Sequence, residues 1–257
     1  MLVLLLASLV LSSSHCTGPA SPPTSDNEPA PVPVRSPLAE ALRPDPAAEY
    51  RPGIAAAILI DTSGSMRDKV MDAAGRTRAK IDIARDAALN LVKQFDSYAR
   101  EHAGEEIFVG IYEFSDRGRN TPPCREVIKL GPPDPASAQA AISQMRAAGD
   151  TPIGDAMIVA KRDLDKSGLL KRHILVVSDG ENNKGYSPGN VTQFISAQPP
   201  MDRASIYFVA FDIAASIFNP VKDAGGIVLA ASNEKELTGT LDYLLSGKIL
   251  VEQPISK

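Results

Sequence analysis

Asp61-Thr62-Ser63-Gly64-Ser65 follows directly on the apolar run 54–60 and places one carboxylate and two hydroxyls in a single short loop. Alternate residues of extended chain point the same way, so the oxygens of Asp61, Ser63 and Ser65 can converge. Convergent oxygens suit a hard cation such as Mg²⁺, which wants near-octahedral oxygen ligands and commonly keeps several waters. The same residue types also suit an ordinary turn, in which Asp and Ser side chains bond nearby backbone groups. Taken alone, the loop leaves both roles open.

The parts of common hydrolases are missing. The three histidines, His15, His102 and His173, form no His-Glu-x-x-His zinc motif and stand beside no nucleophile, and there is no glycine-rich phosphate loop with its lysine. An enzyme that forms a phosphoaspartate also puts Asp at the end of its first strand, but expects a second Asp two residues later as general acid. That position is Ser63, which leaves the leaving group without a proton donor. A non-enzymatic binding module is the main reading. The alternatives are a phosphoaspartyl-type hydrolase using Asp61 and a scaffold whose metal site is purely structural.

The elements that must position this loop begin well inside the chain. Residues 1–11 are an almost unbroken apolar run, too short to span a bilayer, and read as the core of a secretory signal. Cys16 stands where a bacterial lipoprotein signal has its acylated cysteine, although Ser13 and His15 replace the Leu and small residue preferred around it. Otherwise Cys16 is a plain thiol or a disulfide partner for Cys124. Residues 17–52 are rich in proline and read as a disordered tether, extended at about 3.1 Å per residue. A net charge of −4 without a basic block, apart from Lys171-Arg172-His173, argues against nucleic acid as a partner.

From 53 to 250 apolar runs of strand length alternate with helical periodicity, and 251–257 form a tail. Strands are expected at 54–60, 107–114, 126–129, 174–177, 206–211 and 227–230, and helices at 81–99, 136–147, 152–166, 191–197, 213–223 and 234–246. The link between the second and third strands is too brief for a helical crossover. This pattern predicts one α/β domain, doubly wound, with a mostly parallel central sheet flanked by helices on both faces. Ligands of such sheets collect beyond the carboxyl ends of the strands, where strand order reverses. The Asp61 loop lies at such an end.

Asp61-Thr62-Ser63-Gly64-Ser65 resembles the Asp-x-Ser-x-Ser signature of the metal-ion-dependent adhesion site in von Willebrand factor type A and integrin I domains. Gly149-Asp150-Thr151-Pro152-Ile153-Gly154 resembles the threonine loop of that family, and Ser178-Asp179-Gly180 its aspartate loop. The resemblance implies a Rossmann-like fold and one bound Mg²⁺ or Mn²⁺. Ser63, Ser65 and Thr151 would be hydroxyl ligands, with Asp61 and Asp179 as carboxylates acting directly or through water. It also implies a coordination position for an Asp or Glu of a partner protein. With the leader, it places the protein outside the cytoplasm, lipid-anchored through Cys16 or otherwise secreted or periplasmic, with no other membrane contact.

Each further loop has a plainer role. Thr151 followed by Pro152 would make a good helix N-cap, and Asp179-Gly180 a simple turn. Asp150 and Asp155 could tune the charge of the site, with Asp155 alternatively serving the helix N-terminus. Asp116 reads as a rim or turn residue, and Glu181, Asn182 and Asn183 as loop residues near a partner. Leu237, Leu241, Leu244 and Leu245 would dock the last helix firmly, leaving little scope for a ligand-driven shift of that helix.

Overall fold

The computed structural model describes residues 36–44, 49–72, 74–118 and 120–252. The leader with Cys16, the proline-rich stretch through 35 and residues 253–257 lie outside the described residues. In chain order the regular elements are α1 (Pro37–Ala41), β1 (Arg51–Asp61), β2 (Lys69–Met71), β3 (Thr77–Ala79), α2 (Lys80–Glu101), β4 (Ile107–Phe114) and β5 (Cys124–Gly131). There follow α3 (Pro135–Ile142), α4 (Ile153–Ser167), β6 (Leu169–Ser178), α5 (Pro188–Ser196), β7 (Ser205–Phe211), α6 (Asn219–Asp223), β8 (Ile227–Ala231) and α7 (Glu234–Leu244).

Ile54-Ala55-Ala56-Ala57-Ile58-Leu59-Ile60 shows no polar alternation because both faces of β1 are covered. Ile54, Ala56, Ile58 and Ile60 pack with α2, α3 and α7, while Ala55, Ala57 and Leu59 pack with α4, α5 and Leu42. The sheet order is β5-β4-β1-β6-β7-β8, parallel throughout except for the antiparallel β4–β5 pair. Strand order reverses between β1 and β6, and the Asp61 loop and Ser178-Asp179-Gly180 leave the sheet side by side there. The expected doubly wound architecture is the observed one.

Several boundaries differ from expectation. Part of the segment expected to be a tether belongs to the domain: Ser36 Oγ accepts the Ala39 N–H at 3.1 Å, and Pro37 occupies the first turn of α1. Leu42 is fully buried, and the Ala41 and Leu42 carbonyls accept Arg162 Nε at 2.8 Å and Gln198 Nε2 at 2.7 Å. Pro37 thus starts a helix, and β1 begins at Arg51, two residues before the expected boundary.

The helix expected at 136–147 stops at Ile142, and that expected at 213–223 is a 3₁₀ turn, Ala215–Phe218, followed by α6. A small β2–β3 hairpin was not foreseen; Asp72 builds its turn by accepting the N–H groups of Ala74 at 2.9 Å and Arg76 at 2.7 Å. Leu237, Leu241, Leu244 and Leu245 are all buried, and α7 runs on into a π turn, Leu245–Ile249. Among the described residues no helix is long and apolar enough to cross a membrane.

Candidate metal centre

Asp61 is the last residue of β1 and is fully buried. Its Oδ1 accepts the Ser63 N–H at 2.7 Å and its Oδ2 the Ser178 hydroxyl at 2.6 Å, so the carboxylate is fixed from both sides. Burial pushes its pKa up to about 6, against the pull of the Ser178 and Ser63 hydrogen bonds and with repulsion from Asp179. A buried carboxylate with its pKa so displaced belongs to a pattern that concentrates at functional sites.

The other donors lie beside it. Ser63 Oγ and Ser65 Oγ are 3.2 Å apart, and the Ser65 hydroxyl donates to Asp179 Oδ1 at 2.7 Å. Thr151 joins from its own loop: a methyl placed on Gly180 would meet Thr151 Oγ1 at 3.5 Å and Ser65 Oγ at 3.7 Å. Neighbouring ligands of a Mg²⁺ octahedron at about 2.1 Å stand about 3 Å apart, which the Ser63, Ser65 and Asp179 spacings bracket. Among the described residues no cluster of three or more His, Cys, Asp or Glu forms a metal site. The arrangement is rich in hydroxyls and poor in charge, and its all-oxygen donors fit Mg²⁺ or Mn²⁺ rather than a softer metal.

Thr151 is free for this role because it does not cap α4. The helix starts at Ile153 with Pro152 in the cap position and no side-chain cap. Asn182 does that work from the aspartate loop, and Asn183 pins Thr151 itself. Asn183 Oδ1 accepts the Thr151 N–H at 2.8 Å, and Asn182 Oδ1 accepts the Gly154 N–H at 3.3 Å. Gly149, at φ +89°, lets the threonine loop run against β4's end, where a Cβ would sit 2.2 Å from the Asp116 carbonyl. Asp116 and Asp150 exchange backbone hydrogen bonds at 3.0 and 2.9 Å, and the Gly149 carbonyl accepts the Gly64 N–H at 2.9 Å. Asp155 accepts the Tyr186 N–H at 2.9 Å, and Lys184 lies 3.6 Å from Asp150.

The residue that sequence reasoning missed is Lys80. It is buried, and its Nζ donates to Asp179 Oδ2 at 3.0 Å and stands 2.9 Å from Asp212 Oδ2. Burial works against its charge, but the bonds to Asp212 and Asp179 outweigh it and hold its pKa above the ordinary lysine value. One signal was present: a cation at the first position of a long helix opposes the helix dipole and needs a reason.

A sequence model of the von Willebrand factor type A domain matches residues 56–181, a stretch that contains Asp61, Ser63, Ser65, Thr151 and Asp179. The domain has the von Willebrand factor type A fold. Among solved structures, a von Willebrand factor type A protein from Catenulispora acidiphila is similar with a TM-score of 0.56 at 19% identity, over 75% of this chain and 42% of that one. The PilB minor pilin from Streptococcus sanguinis gives 0.57 at 15% identity, over 79% and 64% of the two chains. The pilus adhesin SpaC from Lactobacillus rhamnosus GG gives 0.58 at 14%, over 79% and 31%. The chain spans less than two thirds of the length of each of these three. No match was found among curated proteins. In this fold, all five residues expected from the sequence lie at one end of the sheet.

Proposed function

We propose that this domain is a metal-dependent protein-binding module of the bacterial cell envelope, engaging an Asp or Glu of a partner protein through bound Mg²⁺ or Mn²⁺. The observation that carries this reading is the convergence of the Ser63, Ser65 and Thr151 hydroxyls with Asp61 and Asp179. The bound ion supplies an electrophilic centre for an external carboxylate. The residues of the chain hold the donors in place and keep the anionic charge low.

Non-enzymatic action is part of this proposal, because Ser63 stands where a phosphoaspartate enzyme needs its second carboxylate. A pilin and a pilus adhesin among the structural neighbours fit an envelope-surface setting. The apolar leader and Cys16 supply the route there, with lipid anchoring through Cys16 as the preferred form. The test is calorimetric titration with Mg²⁺ and Mn²⁺, paired with metal-dependent capture of envelope proteins. Wild type should bind one ion and retain a partner that chelator releases. A Ser63→Ala/Ser65→Ala variant that behaved identically would sink the reading.

A further inference from the structure

Lys80 begins α2, a helix of 22 residues, with its side chain only 7% exposed. It faces the positive end of the helix dipole and has lost most of its hydration, two effects that oppose an ammonium group there. What holds it is a pair of carboxylates, Asp179 Oδ2 at 3.0 Å and Asp212 Oδ2 at 2.9 Å. The other oxygen of Asp179 accepts the Ser65 hydroxyl at 2.7 Å. Asp212 follows the end of β7 and lies outside the candidate ligand set, with a side chain 40% exposed. One ammonium is thus shared between a carboxylate of the metal centre and a carboxylate beyond it.

We infer that Lys80 is an internal counter-cation that sets how tightly the metal centre holds its ion, with Asp212 controlling how much of that charge falls on Asp179. The inference rests on the metal-binding reading given above. Lys80 and the ion draw on the same negative charge. Asp179 bridges Nζ and the Ser65 hydroxyl, so the two cations also repel one another across a short, poorly solvated distance. Asp212 relieves both effects by taking part of the ammonium's charge. The result is a moderately held ion that keeps positive charge for an incoming carboxylate.

A lysine that merely propped α2 against the sheet would behave in the opposite way, since its removal would loosen the site and weaken metal binding. The sign of the effect decides between them. Titration of the full-length protein with Mn²⁺ and Mg²⁺ alone, by calorimetry, should show Lys80→Met binding the ion about tenfold more tightly, with Lys80→Arg close to wild type. Asp212→Asn should bind roughly threefold more weakly, because the whole ammonium then falls on Asp179. Asn tolerates the φ of +55° found at Asp212, so that variant is expected to fold even if Lys80→Met does not. Unchanged or weaker binding by Lys80→Met, or unchanged or tighter binding by Asp212→Asn, overturns the inference while wild type still binds. Wild type that binds no ion sinks the metal reading and this inference together.

Discussion

Asn183 and Thr151 clasp each other twice: the Asn183 side-chain oxygen accepts the Thr151 N–H at 2.8 Å, and the Thr151 carbonyl accepts the Asn183 N–H at 3.2 Å. The threonine and aspartate loops are therefore tied to one another. Asn183→Ala removes the first bond and leaves the second. Stability should fall by about 1 kcal/mol, the value of a typical net hydrogen bond. Metal affinity should fall further, by about tenfold, because Thr151 is no longer fixed over the site. Calorimetry alongside thermal melts checks this, and affinity within about twofold of wild type would show that Thr151 needs no such clasp.

Asp61 carries an electrostatic cost of burial. Its folded pKa, pushed up to about 6, lies above the ordinary carboxylate value, so the folded state binds its proton more tightly than the unfolded state does. The penalty is absent at strongly acidic pH, grows as pH rises, and is complete above about 6. Without metal at pH 7, Asp61→Asn should therefore be more stable than wild type by about 1–3 kcal/mol. The same variant should lose the metal-dependent rise in melting temperature that linkage gives wild type. A metal-free Asp61→Asn less stable than wild type would mean that the hydrogen bonds from Ser63 and Ser178 outweigh burial.

His173 contributes with the opposite sign. It is fully buried, both ring nitrogens lack a hydrogen bond among the described residues, and burial together with the nearby charge of Lys171 pushes its pKa down to about 3. Glu252 Oε2 lies 3.3 Å from Nε2. Above an unfolded pKa of about 6.5 the imidazole is neutral in both states and adds no pH dependence. Between about 6.5 and about 3 the unfolded chain binds the proton and the folded chain does not, so stability falls as pH falls. Because Asp61 acts the other way, the informative quantity is the difference between wild type and His173→Leu. Urea unfolding at pH 7 and 4.5 should show wild type losing about 2–3 kcal/mol relative to the variant. Parallel pH profiles for the two proteins would rule out a buried neutral imidazole.

The strands and most helices were legible because burial on two faces leaves an unmistakable run such as 54–60, and because α2 and α4 show one apolar stripe each. Asp61, Ser63 and Ser65 were legible because they are neighbours in sequence. Lys80 was not, since its partners Asp179 and Asp212 come from the ends of β6 and β7, about a hundred residues or more away. Asn182 and Asn183 lie in a loop as expected, but their bonds to the start of α4 and to Thr151 were not legible for the same reason: a contact made from another loop leaves no local pattern.

The helix α1 was hidden by proline content. Pro37 in a first turn and proline in an extended tether look alike in composition, and only the apolar spacing of Leu38, Ala41 and Leu42 separates them. Leu42 is fully buried among the residues under α4 and α5, so Leu42→Ala should cost about 2–4 kcal/mol. Denaturant unfolding measures it directly. A loss below about 0.5 kcal/mol would return this segment to the tether.

The close approach of Gly154 to Tyr186 gives the sharpest test of how the fold holds the site. Gly154 lies in the first turn of α4, and a Cβ there would stand 2.0 Å from the Tyr186 carbonyl oxygen and 2.6 Å from its carbon. The obstacle is backbone, held in turn by the Tyr186 N–H on Asp155 at 2.9 Å, so it cannot swing aside as a side chain could. Asn182 spans the same contact by accepting the Gly154 N–H at 3.3 Å. Alanine would add about 1 kcal/mol of helix propensity, but the clash must force the 182–187 segment away from α4 and so part Asp179 from Thr151. Gly154→Ala should therefore lose about 2–3 kcal/mol of stability and at least about tenfold in metal affinity. Gly239 is the control, since it lies inside α7 with no atom within 4 Å of an added Cβ. Gly239→Ala should gain about 0.5–1 kcal/mol and leave metal affinity unchanged. If both variants gained stability, the packing of the aspartate loop on α4 would be looser than the Gly154 contact requires.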